Sequence, residues 1–378
     1  MNKLLLLLSI VFPLTTARAQ DSVTAELKAL IDQKAYDKII ATYAENAASY
    51  PSKAVYYVGL AYYLNADDNN CLKFMDMAIG KDPADPEAHY IKGMTLQYLG
   101  QFGESVVSIK KAIELKPDKG NYYSGLGDAY FSMDQMEQAL RAYQSAIENP
   151  GADDRPYTMI PQAYAALNKP GKALETSYAA KDKIGKASPS YRTILYNIGL
   201  YELLNRHYDK AESALVELNM LDPEDYTVYA KLSQVYYGKK EYAKAAPYRE
   251  KLYELHAKGV LEGSLADMFC FDQFDWNDKL IQAFERFEVI PGELYFKHLF
   301  YVVDQNDRVE FRIQTENSPV SVELGGPKYL LGMDKDDTHY TFATGFNEGF
   351  QYEDLKKAVI DILEGKSKPI ASSKISRN

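Results

Sequence analysis

The side chains able to do acid–base, nucleophilic or metal chemistry are few and scattered in this chain. Its five histidines, His89, His207, His256, His298 and His339, include no His-Glu-x-x-His pair, the spacing that sets two ligands on one helix face. There is no Walker A loop and no Gly-x-Ser-x-Gly elbow. Gly125-Leu126-Gly127 lacks the third glycine of a dinucleotide turn and reads as helix packing. Asp334, Asp336 and Asp337 could gather a Ca²⁺, yet the central Gly and terminal Glu of an EF-hand are missing, so a solvated turn is expected. Cys71 and Cys270, the two cysteines, fall in segments so far apart in the chain pattern that two free thiols are expected and not a disulfide. No catalytic residue, metal site or cofactor is expected, and the chemistry left to the chain is recognition.

Composition narrows what can be recognised. With 43 basic and 53 acidic side chains the formal net charge is −10, so nucleic acid is not an expected partner. Hydrophobic residues make up 46% and charged residues 25% of 378 positions, a globular composition. Tyrosine stands out, with 32 against 15 Phe and one Trp. The elements that place those tyrosines repeat. Ala78-Ile79, Ala112-Ile113 and Ala146-Ile147 recur at intervals of 34, and Gly59, Gly93 and Gly127 keep the same interval. So do Tyr62, Leu96, Tyr130 and Tyr164, and after an insertion near 183–188 the pattern resumes with Ala211 and Ala245. Within a unit the apolar residues sit at helical spacing, as in Leu126, Tyr130 and Met133 followed by Ala139, Tyr143 and Ala146. Asp82-Pro83, Lys116-Pro117, Asn149-Pro150 and Asp222-Pro223 stop the second helix of their units. Each unit is therefore two helices, and the in-register glycines mark where those helices approach closely.

The pattern Leu126-Gly127-x-x-Tyr130, then Ala139, Tyr143, Ala146 and Pro150, resembles the tetratricopeptide repeat. Six units start near residues 52, 86, 120, 154, 192 and 226, preceded by a degenerate pair over 22–47. Pro161 and Ser233 stand at the glycine position of the fourth and sixth units, where altered stacking is expected. The resemblance implies a right-handed helical solenoid whose concave wall, built from first helices, holds a peptide or a partner protein. Carried over position by position, that groove would be lined by Tyr56, Tyr90 and Tyr196 at the fifth residue and by Leu60, Met94, Asp128, Gln162, Leu200 and Gln234 at the ninth. Tyr63, Gln97, Phe131 and Tyr237 would follow at the twelfth. The wall is aromatic and neutral, and of the Lys, Arg and Asn residues that family members use to clamp a carboxylate only Asn197 and Lys231 occur, at the sixth position. Tyrosine offers wide, rigid contact area at low entropic cost. Aromatic residues at helical spacing also serve as core, so each is either packing or contact.

The period stops near residue 259. Residues 260–294 read as a capping helical segment on the stripe Leu280, Ile281, Phe284 and Phe287, covering the apolar face that a terminal repeat exposes. From Tyr295 to 364 a small α+β domain is expected. Alternation over Val309–Ile313 and Val320–Leu324, turns at Asn306-Asp307 and Asn317-Ser318-Pro319, and further strands over Tyr329–Met333 and Thr338–Thr344 form an antiparallel sheet. An amphipathic helix over Tyr352–Leu363 follows, and the basic tail 365–378 is expected to be disordered. At the other end, Met1-Asn2-Lys3, an apolar run over Leu4–Phe12 and Ala17-Arg18-Ala19 make a bacterial secretory signal, cleaved after Ala19 and too short to span a bilayer. The expectation is a chain that is periplasmic or secreted and not inserted in a membrane after cleavage, an exported non-enzymatic scaffold binding a protein or peptide in a Tyr-rich groove. Glycan capture at the cell envelope and an enzyme activity in the C-terminal domain are the alternatives.

Overall fold

The computed structural model describes residues 22–290, 293–305, 308–316, 330–345 and 351–375. The expected signal segment, the expected turns at Asn306-Asp307 and Asn317-Pro319, and the strand expected over Val320–Leu324 lie outside the described residues. The chain divides into two compact units, residues 1–194 and 195–378.

In the first unit a short pair, α1 (residues 22–32) and α2 (Tyr36–Tyr43), precedes four regular helix pairs. These are α3 (Ser52–Leu64) with α4 (Asp68–Lys81), α5 (Pro86–Tyr98) with α6 (Phe102–Leu115), α7 (Gly120–Ser132) with α8 (Met136–Glu148), and α9 (Arg155–Ala166) with α10 (Pro170–Lys183). Each pair packs internally and onto the next, α4 on α5, α6 on α7 and α8 on α9, the layered packing of a solenoid of tetratricopeptide type. Pro161 sits inside α9, which runs through it unbroken.

The 34-residue period is written in the backbone as well as in the sequence. Ala66, Gly100, Asp134 and Asn168 all have positive φ, between 55° and 73°. At each of them the next amide reaches back to close the first helix, Asp67 N to Tyr62 O at 2.9 Å, Gln101 N to Leu96 O at 2.8 Å and Gln135 N to Tyr130 O at 2.9 Å. This is the left-handed cap that satisfies orphan carbonyls at a helix end. Glycine at the eighth position does what its spacing implies: a Cβ on Gly93 would lie 2.4 Å from Ile109 and one on Gly127 2.5 Å from the Tyr143 ring. Ala78, Ala112, Ala139, Ala146 and Ala173 are buried at 2% exposure or less.

α11 (Pro189–Leu204) runs across the boundary between the units. The second unit continues with α12 (Tyr208–Leu221), α13 (Tyr226–Gly238) and α14 (Tyr242–Ala257), and the same left-handed cap recurs at Arg206 and Lys240. A seven-stranded antiparallel meander follows in sequential order. Its strands are β1 (Met268–Trp276), β2 (Lys279–Ile290), β3 (Glu293–Val303), β4 (Val309–Glu316), β5 (Leu330–Lys335), β6 (Thr338–Ala343) and β7 (Ala371–Lys374), with α15 (Tyr352–Leu363) between the last two. One face carries Phe271, Ile281, Phe300, Ile313 and Leu331, all fully buried. That face packs on α14, through Tyr253 against Phe269 and Phe287, and on α15, through Tyr352 against Phe271.

Two expectations are corrected here. Residues 268–290 form a β-hairpin and not a capping helix. Leu280, Ile281, Phe284 and Phe287 fit a helical stripe, but in the hairpin Ile281 and Phe287 lie on the face that packs on α14 and α15, while Leu280 and Phe284 lie on the other face. The alternation is masked because both faces carry apolar residues and the covered face carries Glu285. The turn signal is Asn277, with φ 55°, in a two-residue connection from Trp276 to Lys279, which is hairpin chemistry. The tail is not wholly irregular either: residues 371–374 pair with β6. All four side chains of β7 are exposed, so its pairing is backbone hydrogen bonding with no burial pattern to read.

Candidate functional site

The five histidines and the acids at 334, 336 and 337 are each engaged locally. His89 Nε2 lies 3.0 Å from Pro83 O, His207 Nδ1 2.6 Å from Glu202 Oε2, and His256 stacks on Phe287 at 4.2 Å between centroids. Asp336 and Asp337 are the two residues of the β5–β6 turn, with φ 51° and 56°. Asp334 is committed to a cross-strand network in which it accepts from Arg312 Nε and Nη2 at 3.0 and 2.9 Å and meets His339 Nδ1 at 2.7 Å. His339 Nε2 lies 3.3 Å from Glu316 Oε2. Gly332 makes room for this bridge, since a Cβ there would lie 2.4 Å from the Glu316 carboxyl. Partial burial disfavours the His339 charge, but Asp334 and Glu316 outweigh it and raise its pKa above 6.5. Cys71 and Cys270 are free thiols, and the buried Cys71 Sγ lies 3.0 Å from Thr95 Oγ1.

Recognition surfaces are better developed. In the first unit a cavity of about 450 Å³ opens over α5 and α7, lined by Tyr90, Met94, Gln97, Asp128 and Arg155 among others. Each arrives there by repeat position. Tyr90, Met94 and Gln97 project from successive turns of α5, and Gly125 lies against them, where a Cβ would meet Met94 Sδ at 2.9 Å and Tyr90 Cε2 at 3.1 Å. Gln97 Nε2 donates to Gly125 O at 2.9 Å, so this glutamine is tied to the backbone. The Tyr90 ring leans on Tyr122 at 4.7 Å. Asp128 accepts from Tyr143 Oη at 2.7 Å and from Arg155 Nε at 2.8 and 2.7 Å. Burial and then Asp128 hold the Tyr143 hydroxyl protonated. Burial alone would weaken the Arg155 charge, but Asp128 more than compensates. The cavity is thus aromatic on one side and carries a fixed ion pair on the other, with the Arg155 side chain 52% exposed.

Of the sequence-derived lining residues in this unit, Tyr90, Met94, Gln97 and Asp128 share that cavity, and Leu60, Tyr63, Phe131 and Gln162 are half-buried on their helices. Tyr56 is a correction: it is 7% exposed, under Lys53 Nζ at 3.9 Å and edge-on to Tyr57, which makes it core. Arg155, Asp153, Tyr98 and Phe102 line the cavity without having been singled out. Arg155 is the second residue of its repeat, and its charge beside an Asp at the ninth position of the preceding one was the available signal.

In the second unit the same positions have a different fate. Gln234 and Tyr237, expected in an open groove, are 4% and 7% exposed because β1 lies on α13. The Tyr237 ring packs edge-on against Phe271 at 4.7 Å, and Gln234 Nε2 approaches Cys270 Sγ at 3.4 Å. A register shift between Cys270 and Asp272 lets Phe271 and Asp272 both reach the helices, and Asp272 accepts from Tyr352 Oη at 2.7 Å and Lys356 Nζ at 3.0 Å. Fully buried Glu285 receives Arg249, Tyr253 and His298. Burial pulls its carboxyl upward, yet these partners keep it below its ordinary pKa. Tyr196 and Leu200 remain half-exposed on α11.

Comparison with known proteins agrees with the repeat reading. Residues 86–119 and 120–150 match the family model described as tetratricopeptide repeat, and the chain therefore contains tetratricopeptide repeats. Among solved structures it is similar to PilF of Pseudomonas aeruginosa, at 15% identity and a TM-score of 0.48 over 55% of this chain and 92% of that one. It is also similar to PilW, described as a type IV pilus biogenesis factor, at 14% identity and a TM-score of 0.48 over 57% and 96% of the two chains. A tetratricopeptide repeat protein from Parabacteroides merdae matches at 18% identity and a TM-score of 0.44, over 54% of this chain and 79% of that one. A comparison with curated proteins returns no significant match.

Proposed function

We propose that this chain is an exported, non-enzymatic scaffold that holds an extended segment of a partner protein against the first-helix face of α5 and α7. The observation that carries the reading is internal to the chain. At the sixth repeat the ninth- and twelfth-position residues Gln234 and Tyr237 are covered by an extended strand, β1. Of the four equivalent residues at the second and third repeats, Met94, Gln97, Asp128 and Phe131, all but Phe131 line an open cavity. A face that accepts a strand of its own chain is suited to accept one in trans, with aromatic area for affinity and the Asp128–Arg155 pair for register. Export rests on the leader pattern of residues 1–19, and proteins of this kind present extended binding surfaces.

The test is affinity capture from the cell envelope with the parent and with a Tyr90→Ala/Met94→Ala/Arg155→Ala variant, with N-terminal sequencing of the exported chain. The variant is expected to lose its partner by about 100-fold or more, on the scale of desolvated anchors, while its thermal unfolding stays near that of the parent. Undiminished capture would overturn the groove, and an exported chain beginning at Met1 instead of Gln20 would overturn the export reading.

A further inference from the structure

The second unit holds a cleft of its own, separate from the surface just discussed. It has a volume of about 380 Å³ and lies between α11 and α13 on one side and the β1–β2 hairpin on the other. Tyr196, Lys231 and Gln234 project from the helices, and Cys270, Gln282 and Phe284 share one face of the hairpin opposite them. That size is within the range of small-molecule sites.

Lys231 is the only charged residue of the lining, and among the described residues no acid pairs with it. The contrast with its neighbours is sharp. Arg206 pairs with Asp275, Lys239 with Glu212, Arg249 with Glu285 and Lys356 with Asp272. Burial holds the Lys231 ammonium below its ordinary pKa, and Cys270 is the group that acts against this. Cys270 cannot serve as a standing counterion, because burial pushes its own pKa up to about 12 and it stays a neutral thiol. Nor is the start of α13 a free anion hole: Asp225 already accepts from Thr227 N at 3.2 Å and Thr227 Oγ1 at 2.5 Å. What remains is one shielded cation facing neutral hydrogen-bonding groups and aromatic area, an arrangement that destabilises the empty cleft and favours an anion within it.

We infer that this cleft is a binding site for a small monocarboxylate with an apolar body, its carboxylate on Lys231 and its body against Phe284 and Tyr196. One cation matches one negative charge, whereas a phosphate dianion would leave an excess buried charge with no second cation to meet it. Phe284 is already braced from the side by Tyr301 on the neighbouring strand, edge-on at 5.4 Å, and so presents a fixed wall.

The experiment titrates the full chain with phenylacetate, with its neutral amide phenylacetamide and with N-acetylglycyl-phenylalanine, following backbone amide shifts by NMR. Phenylacetate should bind at least about tenfold more tightly than the amide, the scale of one charge-assisted hydrogen bond, with shifts confined to the residues around Tyr196, to 227–234 and to β1 and β2. Lys231→Met should lose that preference while unfolding at or above the parent temperature, and Lys231→Arg should keep it. Phenylacetate should also bind more tightly than N-acetylglycyl-phenylalanine; the reverse order would assign the cleft to a peptide terminus, the ligand the repeat resemblance implies, and overturn the small-acid reading. Equal affinity for acid and amide, full binding by Lys231→Met, or no shifts at ~10 mM probe would overturn it. Tyr90→Ala/Met94→Ala/Arg155→Ala should bind the probe as the parent does, so failure of the groove reading and failure of this one are distinguishable.

Discussion

Gly127 is the residue at which the packing argument is most exposed to refutation. A Cβ added there would lie 2.5 Å from Tyr143 Cδ1 and Cε1 and 2.9 Å from Cζ, against an ordinary carbon separation of about 3.5–4.0 Å. The ring must therefore retreat by roughly 1 Å, and it has nowhere to go: Tyr143 is fully buried and its hydroxyl is held by Asp128 at 2.7 Å. Overpacking of this kind costs about 1–3 kcal/mol, while replacing glycine in a helix interior returns about 0.8–1 kcal/mol. For Gly127→Ala the two leave a net loss of roughly 0–2 kcal/mol. Gly127→Leu drives a larger body into the same ring and should lose about 2–3 kcal/mol. The control is Gly103→Ala in α6, where a Cβ meets nothing within 4 Å, and a gain of a few tenths up to about 1 kcal/mol is expected. Urea unfolding followed by far-ultraviolet circular dichroism reads all three. A Gly127→Leu protein with the parent's midpoint, or a Gly127→Leu shift of the same sign and size as Gly103→Ala, would refute close helix approach at this position and the repeat register with it.

Two further predictions concern the second unit. Arg249→Met strands the fully buried Glu285 carboxylate and should destabilise by about 3–5 kcal/mol, whereas Arg249→Met/Glu285→Leu should recover most of the loss; a double variant no more stable than the single one would show that the pair is not what holds α14 to the sheet. His339, whose folded pKa is raised above the 6.5 of the free side chain, contributes stability that is fully present below about pH 6.5 and is lost as pH rises through the higher folded value. The difference in melting temperature between the parent and His339→Gln should accordingly be larger at about pH 5.5 than at about pH 8.5, and a pH-independent difference would remove the imidazolium from the account.

What was legible in the sequence and what was not divides along the physics of each element. The helix pairs could be read because their period is carried by residues that have one packing solution: Gly127 against Tyr143, Ala112 and Ala146 at full burial. The left-handed caps were not legible by residue type, since Ala66, Asp134, Asn168, Arg206 and Lys240 share a backbone conformation and little else. The hairpin over 268–290 was missed because Glu285 stands where alternation calls for an apolar residue, and its partner Arg249 is 36 residues earlier in the chain. Four of the eleven residues that line the first-unit cavity, Tyr90, Met94, Gln97 and Asp128, could be listed from repeat positions. Arg155 could not, because its role depends on Asp128 lying one repeat away in space. Lys231 was visible as a repeat position, but the wall facing it belongs to strands whose packing partner no local pattern reveals.

The covered face of α13 also bears on how the second unit keeps one arrangement. Apolar contacts such as Tyr237 on Phe271 are non-directional and would tolerate a hairpin slipped along the helix. The polar contacts would not. A slip of two residues along β2 would take Glu285 from Arg249, Tyr253 and His298, and a matching slip along β1 would take Asp272 from Tyr352 and Lys356. Each of these carboxylates is almost wholly buried, at 0% and 2% exposure, and each would then be left without its cation, at a cost of several kcal/mol per group. The aromatic residues therefore supply the burial and the two carboxylates select the register. One consequence is that the strand on α13 stays in place, which leaves the Lys231 cleft with a fixed second wall.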